Sequence, residues 1–271
     1  MIPSFAFLTG LIFGSFFNVL IYRVPEKKSI LWPSSFCPKC KKSIKPWENI
    51  PVISYIFLGG RCSACKNRIP ITYPAVELIT AIFSVILWYL MIKPVVFNSA
   101  PWQTLTGMIL YSVFLLLLIP VSVIDLKHYI IPDVFTLSMI AAGLIYSFLP
   151  LGITPFQSVI GLIGGGGVLY LTGWIGTVLF KKGEAMGGGD IKLMAAAGAL
   201  FGLKVAFMGI VFGAFLGSIA GVAMLASKKI SSDHHIPFGP FLGAGIWIAI
   251  FSGEQILEWY MNFVQNSIPL N

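Results

Sequence analysis

Charge is scarce in this chain. Asp, Glu, Lys and Arg make up 10% of its 271 residues, and only ten residues are acidic. A soluble globular domain carries about 25% charged residues, so that class is excluded for most of the length. Histidine is rarer still, with three copies. The adjacent His234 and His235 read as a solvated pair rather than as metal ligands. Cysteine occurs four times, always between Cys37 and Cys65, which excludes a disulfide scaffold spread along the chain. There is no disordered low-complexity tract and no convincing internal repeat. No glycine fingerprint of the dinucleotide-binding kind follows a predicted strand. A basic start and a small-x-small cleavage site before Arg23 are also missing. The first apolar run is therefore expected to be a permanent helix, not a cleaved signal peptide.

What is abundant is apolar sequence, at 57% of residues and a mean hydropathy of +0.88. Runs near the ~20 residues needed to cross a bilayer recur. They predict eight spans, at about 2–22, 75–92, 105–124, 134–150, 156–180, 191–203, 205–227 and 237–257. The sixth is short and bounded by glycine, as a half-helix or tilted piece would be. The formal charge of +8 suggests nucleic acid only until the charges are placed. Sixteen of the 18 Lys and Arg fall on one side of the eight-span arrangement, and only Lys93 and Lys204 on the other. Positive-inside bias makes the first side cytoplasmic. Topology and anionic membrane lipid then explain the basic charge, and no nucleic-acid partner is expected. Outer turns are expected at 98–103 and 149–156. Gly209, Gly213, Gly217 and Gly221 form a small-xxx-small face, suited to packing within a bundle or to dimerisation.

One segment is polar and long enough to be a soluble unit, residues 23–73. It separates a first helix at 1–22 from a larger membrane domain at 74–271. It is too small for a substantial core and needs a staple. Cys37 and Cys40, then Cys62 and Cys65, form two C-x-x-C knuckles at a spacing suited to one four-thiolate structural zinc. A closed shell of four sulfurs leaves no position for a catalytic water.

Three acids lie at expected cytoplasmic ends of apolar helices: Asp125 and Asp133 in DLKHYIIPD, and Asp190 in GGGD. Carboxylates at membrane depth are expensive and mark functional sites by default. Asp133 follows Pro132 at a helix start, where capping is a sufficient reason for it. Asp125 is expected at a helix C-terminus, where the dipole disfavours negative charge, and Asp190 at an N-terminus, where the dipole favours it. Two carboxylates so biased, meeting at one rim and sharing a proton, are the working parts of an aspartic protease. The glycines before Asp190 permit close approach of another chain. Helix capping or polar packing is the structural alternative for the pair.

The chain resembles the type IV prepilin leader peptidases, polytopic aspartic proteases of the GxGD class. The resemblance is carried by GSFFNVLIYRVP (14–25), both cysteine pairs, YPAVELIT (73–80), DLKHYIIPD (125–133), GEAMGGGDIKL (183–193) and PFGPFL (237–242). It implies an all-α polytopic membrane protein of about eight transmembrane helices, with a small zinc-stapled loop on the cytoplasmic side of a bacterial inner membrane. It also implies removal of the basic leader from a prepilin or pseudopilin, of type IV pilus or type II secretion systems. S-adenosylmethionine-dependent N-methylation of the new N-terminus follows in many members. By the motif match Asp125 and Asp190 are catalytic, and Gly187, Gly189, Glu184 and Lys192 belong to the active-site motif. Glu26, Glu48 and Glu184 are candidates to receive a basic leader. Glu77, expected in the first turn of the second membrane helix, is a candidate for the methyl donor or the new amine. Asn18 is placed either to bond substrate or to bridge helices. The rivals are a peptidase without methylation, a proton-coupled transporter with discontinuous helices, and a scaffold whose zinc loop binds a partner.

Overall fold

The computed structural model describes residues 2–92, 102–149, 153–180, 186–226 and 236–267. Among these the regular structure is helical, apart from two isolated β-bridges in the cysteine loop. Long apolar runs become helices in a bilayer because only internal hydrogen bonding satisfies their backbone there. The helices are α1 (Ile2–Arg23), the short α2 (Ile53–Phe57), α3 (Thr72–Leu87), α4 (Trp102–His128), α5 (Asp133–Tyr146), α6 (Pro155–Phe180), α7 (Gly188–Ala226) and α8 (Gly239–Ser267). A π-helical turn, Trp88–Ile92, continues α3.

Six helices among the described residues are long and apolar enough to cross a membrane. Two features separate this from the expected eight. The run at 134–150 forms α5, whose 14 residues reach about 21 Å against a hydrocarbon core of about 30 Å. The runs at 191–203 and 205–227 follow one another as the two helical parts of α7, which the non-helical backbone of Gly202 separates, as the sequence suggested, within one long apolar stretch. Gly202 has φ 83° and ψ 173°, a conformation open to glycine and strained for any other residue.

The chain forms two compact units, residues 1–124 and 125–271. In the first, α1 packs along α3. Gly14 makes this possible, since a Cβ there would lie 2.6 Å from Glu77 Cα. Asn18 donates from Nδ2 to the Tyr73 carbonyl at 3.1 Å, so it bridges these helices. In the second unit α7 is central and packs against α5, α6 and α8. Residues 193–200 of α7 are all buried, as expected of a helix that is apolar on every side. Ser158 of α6 donates to the Ala199 carbonyl across that contact, at 2.7 Å. The glycine face of α7 meets Ile246, Leu242 and Phe238 of α8 and its approach, so it serves packing within the bundle.

Candidate active site and zinc loop

Asp125 lies on α4 three residues before its end, and its side chain is buried. The helix stops where Tyr129 takes φ 57° and donates its N–H to the Asp125 carbonyl at 2.9 Å. The Asp125 carboxylate reaches the start of α8, where Oδ2 accepts the Gly239 N–H at 2.9 Å. The N-terminal end of α8 therefore faces this carboxylate and opposes the dipole of α4. The helix-end contrast expected between Asp125 and Asp190 is weakened accordingly.

Asp190 is the third residue of α7, and its N–H donates to the Gly187 carbonyl at 3.1 Å. Its Oδ1 is buried and is the one buried side-chain oxygen or nitrogen among the described residues without a hydrogen-bond partner. Such a group is costly in a purely structural role. Ile131 links the surroundings of the two aspartates. A Cβ on Gly189 would lie 2.7 Å from Ile131 Cβ, and one on Gly239 would lie 3.1 Å from Ile131 Cδ1 and 2.7 Å from Asp125 Oδ2. Glycine at 189 and 239 thus lets three chain segments converge on the two carboxylates.

The sequence left Gly239 without a role, although PFGPFL offered a signal: a glycine at a proline-flanked helix start. Gly239→Ala is expected to displace the Asp125 carboxylate and lower any turnover that depends on it about 100-fold, the usual order for an ångström-scale misplacement. Turnover of membrane-inserted protein, normalised to its amount, tests this.

Asp133 is the first residue of α5 and the acid of its first turn, where the helix dipole favours it. It also pairs with Lys192 of the GGGDIK motif, Nζ to Oδ1 at 2.7 Å, with both side chains exposed. Among acids considered for a basic leader, Glu26 pairs with Lys28. Glu48 accepts the Lys45 N–H at 3.1 Å. Glu184 lies outside the described residues, as do His234 and His235.

The cysteine loop closes as two matching knuckles. Cys37 N–H donates to the Lys42 carbonyl and Lys41 N–H to that of Cys37; Cys62 and Lys66 repeat the pattern with Asn67 and Cys62. Lys41 and Lys66, each directly after a knuckle, both take positive φ. All four Sγ atoms lie within 4.8 Å of one another, with Cys37–Cys65 at 3.8 Å and Cys40–Cys62 at 4.0 Å. Four ligands at about 2.3 Å around tetrahedral zinc stand about 3.8 Å apart, so the set fits that ion. The N–H groups of Cys65 and Ala64 hold the Cys62 thiol down to about 6, and that of Cys40 lowers Cys37. The Asn67 N–H acts downward on Cys65 too, but burial and the neighbouring thiols outweigh it and push Cys65 up to about 11. Four sulfurs this close do not all ionise without a cation among them.

Beside the knuckles lies a cavity of about 230 Å³, lined by α1, the loop, α2 and α3. Glu77 lines it, buried, in the second turn of α3 and not in the first as expected. Stabilising the helix terminus is therefore not its role. Its Oε2 accepts the Val52 N–H at 2.7 Å. Val52 has φ 60° and ψ −46°, within a γ-turn closed by Ile53 N–H to the Pro51 carbonyl at 2.6 Å. A β-branched residue in this region is strained, and the bond to Glu77 helps hold it there.

Comparison with known proteins gives two family matches along the chain. Residues 8–91 match the bacterial peptidase A24 N-terminal domain, and residues 109–222 match the type IV leader peptidase family. The chain is 35% identical to a prepilin leader peptidase/N-methyltransferase of Pseudomonas aeruginosa, over 94% of this chain and 92% of that one. Proteins of the same name from Neisseria gonorrhoeae and Bacillus subtilis are 33% and 32% identical. They cover 94% and 95% of this chain, and 93% and 97% of their own length is matched. No solved structure matches.

Proposed function

The chain belongs to the type IV leader peptidase family, and from that premise we propose that Asp125 and Asp190 cleave the leader of a prepilin or pseudopilin at the cytoplasmic face of a bacterial inner membrane. The chain is a multi-pass membrane enzyme, a leader peptidase and N-methyltransferase. The observation that supports the site assignment is the buried, unpartnered Oδ1 of Asp190, next to a glycine that packs on the same Ile131 as Gly239, the partner of the buried Asp125. One aspartate takes a proton from water as it attacks the scissile carbonyl, and the other gives its proton to the carbonyl oxygen. Collapse of the tetrahedral intermediate returns that proton and releases the amine with the proton taken from water. Gly239 N–H fixes Asp125 through Oδ2, so that Oδ1 remains for this exchange. Beside Asp190, Gly188 borders open space, where a Cβ would meet nothing within 4 Å, and this suits the approach of an extended peptide. Lys192 and Asp133 close the rim beside it.

Methylation is assigned to the cavity in the first unit. S-adenosylmethionine supplies an electrophilic methyl group to the new α-amine. The cavity suits a sulfonium cation, since the Glu77 carboxylate and the rings of Tyr22, Tyr55 and Tyr73 line it and cations favour both kinds of surface. Zinc holds the loop that forms one wall. Co-expression with a tagged prepilin, read by mass spectrometry, tests both steps: leader loss reports cleavage and a gain of about 14 Da reports methylation. A product that loses its leader but gains no methyl group would reduce the enzyme to a peptidase.

Glu77→Gln separates the two steps. It keeps the side chain's size but removes its charge beside the bound cation. Methylated product is expected to fall about 10-fold or more, with leader removal unchanged. Equal loss of both would remove Glu77 from the methyl-transfer site.

A further inference from the structure

The short helix α2 is turned inside out for a water-exposed element. Ser54, Tyr55 and Leu58 face the cavity. Ile53, Ile56 and Phe57 share the opposite face at helical spacing, and Ile56 and Phe57 are 69% and 87% exposed. A second apolar tip stands earlier in the loop, where Leu31 is 86% and Trp32 77% exposed. Large apolar side chains left outside a fold in this way mark a binding surface.

The depth of α2 is fixed by a hydrogen bond. Val52, just before it, donates to Glu77 at 2.7 Å. Glu77 is the sixth residue of a helix whose membrane-capable stretch begins at Thr72, roughly 8 Å along its axis. The start of α2 is therefore held level with the first turns of α3, inside the span. The loop also carries ten of the chain's 18 basic residues against two acids, Glu26 and Glu48. Lys41, Lys45, Arg61 and Lys66 are among its exposed cations.

We propose that the outer face of α2 and the Leu31–Trp32 tip lie in the headgroup layer of an anionic bilayer, in the leaflet that α1 and α3 meet at the loop. An apolar face at this depth inserts at the headgroup and acyl boundary, while Lys and Arg beside it meet anionic phosphates. Tryptophan favours that layer. The cavity lies behind α2, so the bilayer covers its outer wall. The inference rests on α1 and α3 spanning the membrane and is independent of the proposed activity.

The test uses the full chain in nanodiscs of phosphatidylethanolamine and phosphatidylglycerol. A nitroxide-bearing residue replaces Leu31, Phe57 or, as the water-exposed reference, Lys39. Collision with oxygen, which concentrates in lipid, is compared with collision with chromium oxalate, which stays in water. The oxygen preference at 31 and 57 is expected to exceed that at 39 about fivefold or more, and to shrink in phosphatidylcholine alone. Equal preference at all three positions overturns the proposal. Undiminished preference in phosphatidylcholine overturns the anionic headgroup as occupant. Spin–spin broadening at 57 overturns it in favour of a second copy of this chain. Quenching by brominated lipid, compared between the unlabelled protein and Trp32→Tyr, gives the same answer without a label: no difference in quenching counts against seating in lipid.

Discussion

Asp125→Asn and Asp190→Asn are each expected to abolish detectable leader removal, a loss of about 10²- to 10⁴-fold for a group that transfers a proton in the transition state. Asparagine keeps the size of the side chain and can still accept the Gly239 N–H at position 125. The fold around α8 should therefore survive while the proton exchange fails. At position 190 the amide brings donors to a buried place where Oδ1 has no protein partner, so membrane insertion of this variant must be measured alongside. Asp133→Asn is the control. Its pair with Lys192 is exposed on both sides, and such pairs contribute about 0–1 kcal/mol. Cleavage should change little. A purified Asp125→Asn or Asp190→Asn enzyme that still removes the leader at the normal rate would defeat the aspartic mechanism. Equal loss in all three variants would point to electrostatics at the rim rather than to a catalytic pair. A transporter would place its working carboxylates near the bilayer midplane and would show no leader removal at all.

The sequence exposed these carboxylates because acids are so few in it. Asp125 and Asp190 stand out against long apolar runs, and the cysteine pairs stand out by spacing. The contacts that make a site of them are backbone contacts, which composition does not reveal. Gly239 donates an N–H, Val52 offers one to Glu77 from a strained turn, and Ile131 fills the space left at Gly189 and Gly239. Apart from the proline-flanked Gly239, none of these residue types announces such a role. Helix ends were misjudged for a related reason. Hydropathy locates the apolar stretch but not the polar turn that extends it, so Glu77 seemed to open a helix that in fact begins at Thr72. Hydropathy divided the α7 stretch at residue 204, and the structure breaks the helix two residues earlier, at Gly202, because only glycine adopts that backbone without strain. The ion pair of Lys192 with Asp133 joins residues distant in sequence, and a single sequence carries no record of that.

Loss of zinc should separate the two activities as sharply as the aspartates mark one of them. Residues 23–73 have little core of their own, and Cys37 is the one buried cysteine of the four. Zinc binding in small folded modules is worth about 10 kcal/mol or more, well above what such a loop obtains from packing. The Cys62→Ser variant removes a ligand whose thiol is already held down to about 6 by two backbone N–H groups, so the remaining three sulfurs face an incomplete shell. Purified protein is expected to contain one zinc per chain, and this variant to contain less. The knuckles wall the cavity through Cys37 and Cys62, so methylated product should fall about 10-fold or more as that wall disorders. Leader removal should persist, because Asp125, Asp190 and the Gly239 N–H all belong to the compact unit at 125–271. Metal analysis of the purified chain, with both products read in the same mass spectra, decides the matter. A chain without zinc that methylates normally would make the cysteines free thiols. Joint loss of both reactions in an inserted protein would show that the loop serves cleavage as well.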